Sequence, residues 1–135
     1  MKDKNIKDAT SFVREIVRDA WWQFRYHEVF FKIKHARLEW TKELIERGGF
    51  DVNADRADED ENGDIKATNV QDLVLNALDE IADSVEYHEK GMAIYASNFA
   101  FAKSMLVRGK YTEIDIEEIK QEVEKEAKKW VEEAA

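Results

Sequence analysis

The stretch from Asp8 to Arg47, DATSFVREIVRDAWWQFRYHEVFFKIKHARLEWTKELIER, decides the fold class of this chain. It holds no Pro and no Gly, and its apolar residues recur at helical spacing. Ala9, Val13, Ile16, Ala20, Phe24, His27, Phe31, Leu38 and Ile45 form one stripe along a helix of about residues 8–47. Trp22, Tyr26, Val29, Ile33 and Trp40 form a second stripe on roughly the opposite side. A surface helix needs only one apolar face, so the middle of this helix is expected to be buried on two sides, with a break as an alternative. Gly48-Gly49 follows at once, and glycine there supplies the left-handed conformation at which helices commonly end.

Downstream the pattern repeats. A second helix, about 69–108, carries Val70, Val74, Ala77, Ile81, Val85, His88, Met92, Tyr95, Phe99, Ala102 and Leu106 on one face, and becomes apolar nearly all round from Met92 onward. Thr68 or Asn69 is expected to cap its start and Gly109 to end it. A third helix, about 113–133, presents Ile119, Val123, Ala127, Trp130 and Val131 on one face and charges on the other, with Thr112 as expected cap. The expected fold is all-α and a single domain over 1–135. It is a long antiparallel hairpin of helices 1 and 2, joined by an acidic loop at 48–68, plus a C-terminal helix. Two helices of roughly 60 Å, at 1.5 Å per residue, carry more apolar face than one short third helix covers. A dimer or higher self-assembly with a bundle core is therefore expected, the alternative being a compact monomer with a kinked first helix. Trp21, Trp22, Trp40 and Trp130 read first as core, although an exposed Trp pair would mark a protein-binding surface.

The chain of 135 residues has no Cys, which excludes disulfides, zinc-thiolate sites and a Cys nucleophile. Met1-Lys2-Asp3-Lys4-Asn5 leads into no signal-peptide apolar run, and the longest apolar-rich stretch, Gly91 to Val107, is short for a bilayer span and is interrupted by Ser97, Asn98, Lys103 and Ser104. A cytoplasmic setting without membrane contact is the expectation. The net charge of −9 is unevenly spread: residues 1–49 carry +3, 50–69 carry −5, 70–110 carry −2 and 111–135 carry −5. No concentrated basic surface is available for direct nucleic-acid binding. The oppositely charged ends are expected to attract each other, within a chain or between chains.

Three constellations bear on chemistry. The first is Asp58-Glu59-Asp60-Glu61-Asn62-Gly63-Asp64-Ile65, with oxygen-bearing side chains at alternate positions before a Gly. Over Asp58–Asn69 it resembles an EF-hand loop, which implies Ca²⁺ held by Asp58, Asp60, Asn62 and the backbone carbonyl of Asp64. It departs from that pattern at Lys66 and at Asn69, where a bidentate Glu is usual. Asp51, Asn53 and Asp55 repeat the alternation upstream without a Gly. A solvated acidic connector is the other reading of the segment.

The second constellation is the tripeptide Tyr-His-Glu, present as Tyr26-His27-Glu28 and Tyr87-His88-Glu89. In an antiparallel hairpin closed near residues 58–59, position i lies opposite about 117 − i. His27 then faces His88 to Lys90, and Glu28 faces Glu89. Two imidazoles and two carboxylates, His27, Glu28, His88 and Glu89, would suit a transition metal, whereas a His in a core stripe is more commonly hydrogen-bonded to a neighbour. The third is Glu43-x-x-Glu46 with Glu80-x-x-Asp83. It is similar to the paired-acid signature of the MazG-like all-α nucleotide pyrophosphohydrolases, and the likeness implies Mg²⁺ against a nucleoside triphosphate. Helical phase opposes convergence of these acids in a simple hairpin, because Glu46 and Glu80 fall on different flanks and Asp83 faces away.

No catalytic residue set, no phosphate loop and no required cofactor emerges. The function expected is a non-catalytic interaction or regulatory protein acting through helix faces and an acidic surface, with itself and another protein as partners. An acidic inhibitor of a nucleic-acid-binding protein, of the kind phages encode, belongs to this class. The Mg²⁺-dependent pyrophosphohydrolase and a calcium-binding module are the alternatives.

Overall fold

A computed structural model describes residues 8–57, 61 and 69–134. Among these all regular structure is helical: α1 (Ala9–Arg47), α2 (Val70–Gly109) and α3 (Ile116–Ala134), with α1 packed against α2 and α3. α1 is unbroken. Two compact units are distinguished, Met1–Val29 with His88–Ala135, and Phe30–Tyr87.

In the first unit, Val13, Val17 and Ala20 of α1 pack with Phe99, Ala102 and Leu106 of α2 and Ile119 of α3. The α1–α2 pairing there is antiparallel, since Trp21 meets Phe99 and His27 meets His88 as one number rises and the other falls. α3 runs parallel to α1: Arg14 bonds Glu122, Arg18 bonds Glu126, and Trp22 packs on Trp130. Its buried row, Ile119, Val123 and Ala127, belongs to the expected face, of which Trp130 is half-buried and Val131 exposed. In the second unit, Leu38 and Ile45 of α1 bury against Leu78 and Val85 of α2, with Phe50, Val52 and Val74 packed alongside.

Helix ends follow from identifiable bonds. Asp8 caps α1 by accepting from Ser11 N at 2.8 Å, and Asn69 caps α2 by accepting from Asp72 N at 2.9 Å. α3 is capped by Asp115, which accepts from Glu117 N at 3.0 Å and Glu118 N at 3.3 Å, and not by Thr112. The carboxylate lies directly before the first helical residue, where it reaches the free N–H groups; Thr112 lies three residues too early. α1 ends in a Schellman turn with Gly49 at φ 85°, the Phe50 N–H donating to Ile45 O at 3.1 Å. α2 ends in the same motif, but the left-handed residue is Lys110 at φ 58° and not Gly109. Gly109 serves a different need: a Cβ there would lie 2.2 Å from the Tyr111 ring.

Two expectations about stripes change. On α2 the buried N-terminal positions are Leu75 and Leu78, while Val70 and Ala77 are exposed. Apolar residues occur at 70, 73, 74, 75, 77 and 78, so the pattern there admits more than one phase. On α1, Val17 is fully buried although it stood outside the expected stripe, because α3 supplies a wall on its side. α3 also covers the upper part of the second stripe, leaving Trp22 and Tyr26 half-buried and Val29 buried. Trp40 is not core; it is 61% exposed.

Candidate functional site

In the first unit the two histidines of the repeated tripeptide meet. His27 Nδ1 lies 3.0 Å from His88 Nδ1, and both side chains are buried. This contact requires unlike tautomers, one ring donating its Nδ1–H to the other ring's Nδ1 lone pair. Tyr95 stacks on His27, and the Tyr26 ring packs edge-on to both imidazoles. Gly91 makes the room: a Cβ at that position would stand 2.5 Å from His27 Cγ. Burial pushes the His27 pKa below its ordinary value, favouring the neutral ring.

The carboxylates of that tripeptide do not join the pair. Glu28 bonds Arg25 in a charge-assisted contact on α1, and Glu89 is exposed. Arg25 also holds Glu124 of α3 through two bonds of 3.1 and 2.9 Å. Burial opposes the Arg25 charge, but Glu124 and Glu28 outweigh it and raise the pKa. Farther along, Arg14 donates to Glu122 at 2.6 Å and holds the Glu122 carboxyl below the usual carboxylate range. The opposite charges of the two chain ends are thus used, in part, inside the chain.

Two imidazole nitrogens alone offer a metal half a coordination sphere. Among the described residues no group of three His, Asp or Glu side chains converges to hold a metal ion. The paired acids Glu43, Glu46, Glu80 and Asp83 are all exposed in the second unit and do not form such a group. The calcium-loop candidates Asp58, Asp60, Asn62 and Asp64 lie outside the described residues. Their upstream echo is folded by its own bonds: Asp51 Oδ1 accepts from Asn53 N at 2.9 Å. Arg56 donates to Asp79 on α2 at 2.9 Å and to the carbonyls of Val52 and Ala54.

The surface that sequence reasoning missed is an apolar groove of about 250 Å³ in the second unit. Thr41, Leu44, Ile45, Phe50, Val74 and Ala77 line it. Trp40, one turn before Leu44, and Leu73, one turn before Ala77, add exposed apolar surface at 61% and 59%. This unit is also where the acidity sits. Residues 30–87 hold 7 basic and 15 acidic side chains, a net of −8 out of −9 for the whole chain. Comparison of the chain with family models, with curated proteins and with solved structures gives no match.

Proposed function

We propose that this chain is a non-catalytic interaction protein that acts through apolar helix faces and an acidic surface. The observation carrying the reading is the apolar groove of Leu44, Ile45, Phe50, Val74 and Ala77, set in a unit whose described residues, 30–57, 61 and 69–87, hold 6 basic and 11 acidic side chains, a net of −5. Exposed apolar surface of this kind is characteristic of binding sites, and charge of one sign around it selects partners of the other sign. The partner that fits is a basic amphipathic helix: apolar residues at i, i+3 and i+4 enter the groove while flanking Lys and Arg meet carboxylates such as Glu43 and Glu80. Basic helices of that type occur on nucleic-acid-binding proteins, and a carboxylate array that occupies them takes the place of phosphates. The chain would then regulate such a protein by covering its basic surface.

The test uses two synthetic helical peptides of equal length, one of Lys and Leu and one of Glu and Leu with the same apolar spacing. Calorimetry is expected to show binding of the Lys/Leu peptide alone, weakening as salt rises. Leu44→Asp with Ala77→Asp, at an unchanged net charge on the peptide, is expected to abolish it. Equal binding of both peptides, or binding indifferent to these two substitutions, would overturn the reading.

A further inference from the structure

The two walls of the groove in the second unit carry opposite charge. Over residues 30–47, α1 holds five basic and three acidic side chains. Over residues 70–87, α2 holds five acidic side chains and no basic one. Helical spacing brings this contrast to the rims. Arg37 lies one turn before Thr41 and Arg47 one turn after Leu44, so both border the α1 wall. Glu80 lies one turn after Ala77, and Asp83 one turn farther, so both border the α2 wall. All four are exposed. Between the rims lies the apolar lining of Ile45, Phe50 and Val74.

We infer that this groove takes a helix with two unlike edges, acidic where it meets α1 and basic where it meets α2. A helix lying between two others turns its apolar stripe into the groove and one flank toward each wall, as the e and g positions of a coiled coil do. A Lys or Arg on the flank toward α2 meets Glu80 and Asp83. On the flank toward α1 the same residue meets Arg37 and Arg47, and like charges set together there oppose binding. Glu43 does little to reverse this, because it lies 3.8 Å from Arg47 and is already neutralised in part. An acidic flank is instead welcomed by the two arginines. α1 uses arginines in this way in the first unit, where Arg14 donates to Glu122 at 2.6 Å and Arg18 to Glu126 at 3.3 Å on α3. A helix basic on both edges suits one wall only, and so does a helix acidic on both. Unlike edges suit both walls and also set the direction of binding, since turning a helix end for end exchanges its flanks.

The inference rests on the reading of the groove as the binding site for an amphipathic helix, and names the charge pattern of that helix. Three synthetic helical peptides with the same apolar spacing test it on the whole chain. One has Lys on both edges, one has Glu on both, and one has Lys on one edge and Glu on the other. Calorimetry is expected to show the two-edged peptide binding the wild type about tenfold more tightly than the all-Lys peptide, two exposed ion pairs replacing two repulsive contacts. Arg37→Glu with Arg47→Glu is expected to make the all-Lys peptide the tightest binder. Glu80→Lys with Asp83→Lys is expected to make the all-Glu peptide the tightest. Circular dichroism on each variant confirms that the helices are retained. If the all-Lys peptide binds and the two-edged peptide binds no better, the inference falls while the reading of the groove stands. An order of affinities that both double reversals leave unchanged would also overturn it. Binding of none of the three peptides removes the inference together with the reading beneath it.

Discussion

Gly91→Ala probes the buried histidine pair most directly. Glycine in the interior of a 40-residue helix costs about 1 kcal/mol relative to alanine, so the substitution should stabilise α2 if nothing else changed. Here the added Cβ would stand 2.5 Å from His27 Cγ and 2.6 Å from Cδ2 and Cε1. Carbon atoms rest at about 3.5–4.0 Å, so the ring must withdraw by about 1 Å. It has little space, with Tyr95 stacked on one face and His88 Nδ1 3.0 Å away. Overpacking of a filled core costs about 1–3 kcal/mol, and a broken buried hydrogen bond about 1–3 kcal/mol. After the helix term is set against these, Gly91→Ala is expected to destabilise the chain by about 1–5 kcal/mol. Urea unfolding, read as a lower midpoint at constant slope, measures this. In a His27→Ala background the obstruction is gone, and the same substitution should stabilise by up to about 1 kcal/mol. A stabilising Gly91→Ala in the wild-type chain would refute the packing argument.

Lys110→Gly should raise stability by about 1 kcal/mol, because Lys110 holds a left-handed φ of 58° that costs a residue with a Cβ about that much; thermal melting checks it, and unchanged stability would count against the strain. Asp115→Ala should lower stability by about 1 kcal/mol through loss of the α3 cap, whereas Thr112→Ala should be nearly neutral. Stability should fall as pH drops below about 6.5, since the unfolded chain protonates His27 more readily than the folded one, and a His27→Gln variant should lose that component. A further loss should follow in more acid solution. Glu122 titrates below the usual carboxylate range in the folded chain, so its contribution is present above the unfolded pKa and disappears as pH falls through the folded one.

How much of this was legible in the sequence differs by feature. The meeting of His27 with His88 followed from hairpin arithmetic, because two long helices without Pro leave little freedom of register once their ends are marked. The place of α3 was harder to see. Its length alone suggested that it would leave the second stripe of α1 bare. The informative signal was a row of bases, Arg14 and Arg18 on α1, matched by a row of acids, Glu118, Glu122 and Glu126 on α3, each at a spacing of four. The ends at Asp115 and Lys110 turn on displacements of three residues and of one from Thr112 and Gly109, which composition does not resolve. The groove was not visible because it depends on which of several apolar phases α2 adopts at 70–78. Trp40 and Leu73, whose residue types favour burial, stay outside once Leu75 and Leu78 turn inward.

The ladder between α1 and α3 has a bearing on how these helices find their alignment. Arg14 lies 3.9 Å from Glu118 and 2.6 Å from Glu122, and Arg18 lies 3.5 Å from Glu122 and 3.3 Å from Glu126. Each cation thus touches two anions a turn apart, like the teeth of a rack that engage equally well one notch along. A slip of α3 by one turn, about 5.4 Å, keeps most of these pairs. Arg14 and Arg18 therefore draw the helices together without choosing among notches. The choice falls to groups with no equivalent one turn away: Arg25, which is bonded to Glu124 and would meet Lys120 or Lys128 after a slip, Trp130, edge-on to both Trp22 and Tyr26, and Ile119, inserted among Val13, Val17 and Leu106. Removing the Trp130 ring would leave a helix still attracted to its neighbour but with less to say where along it to stop.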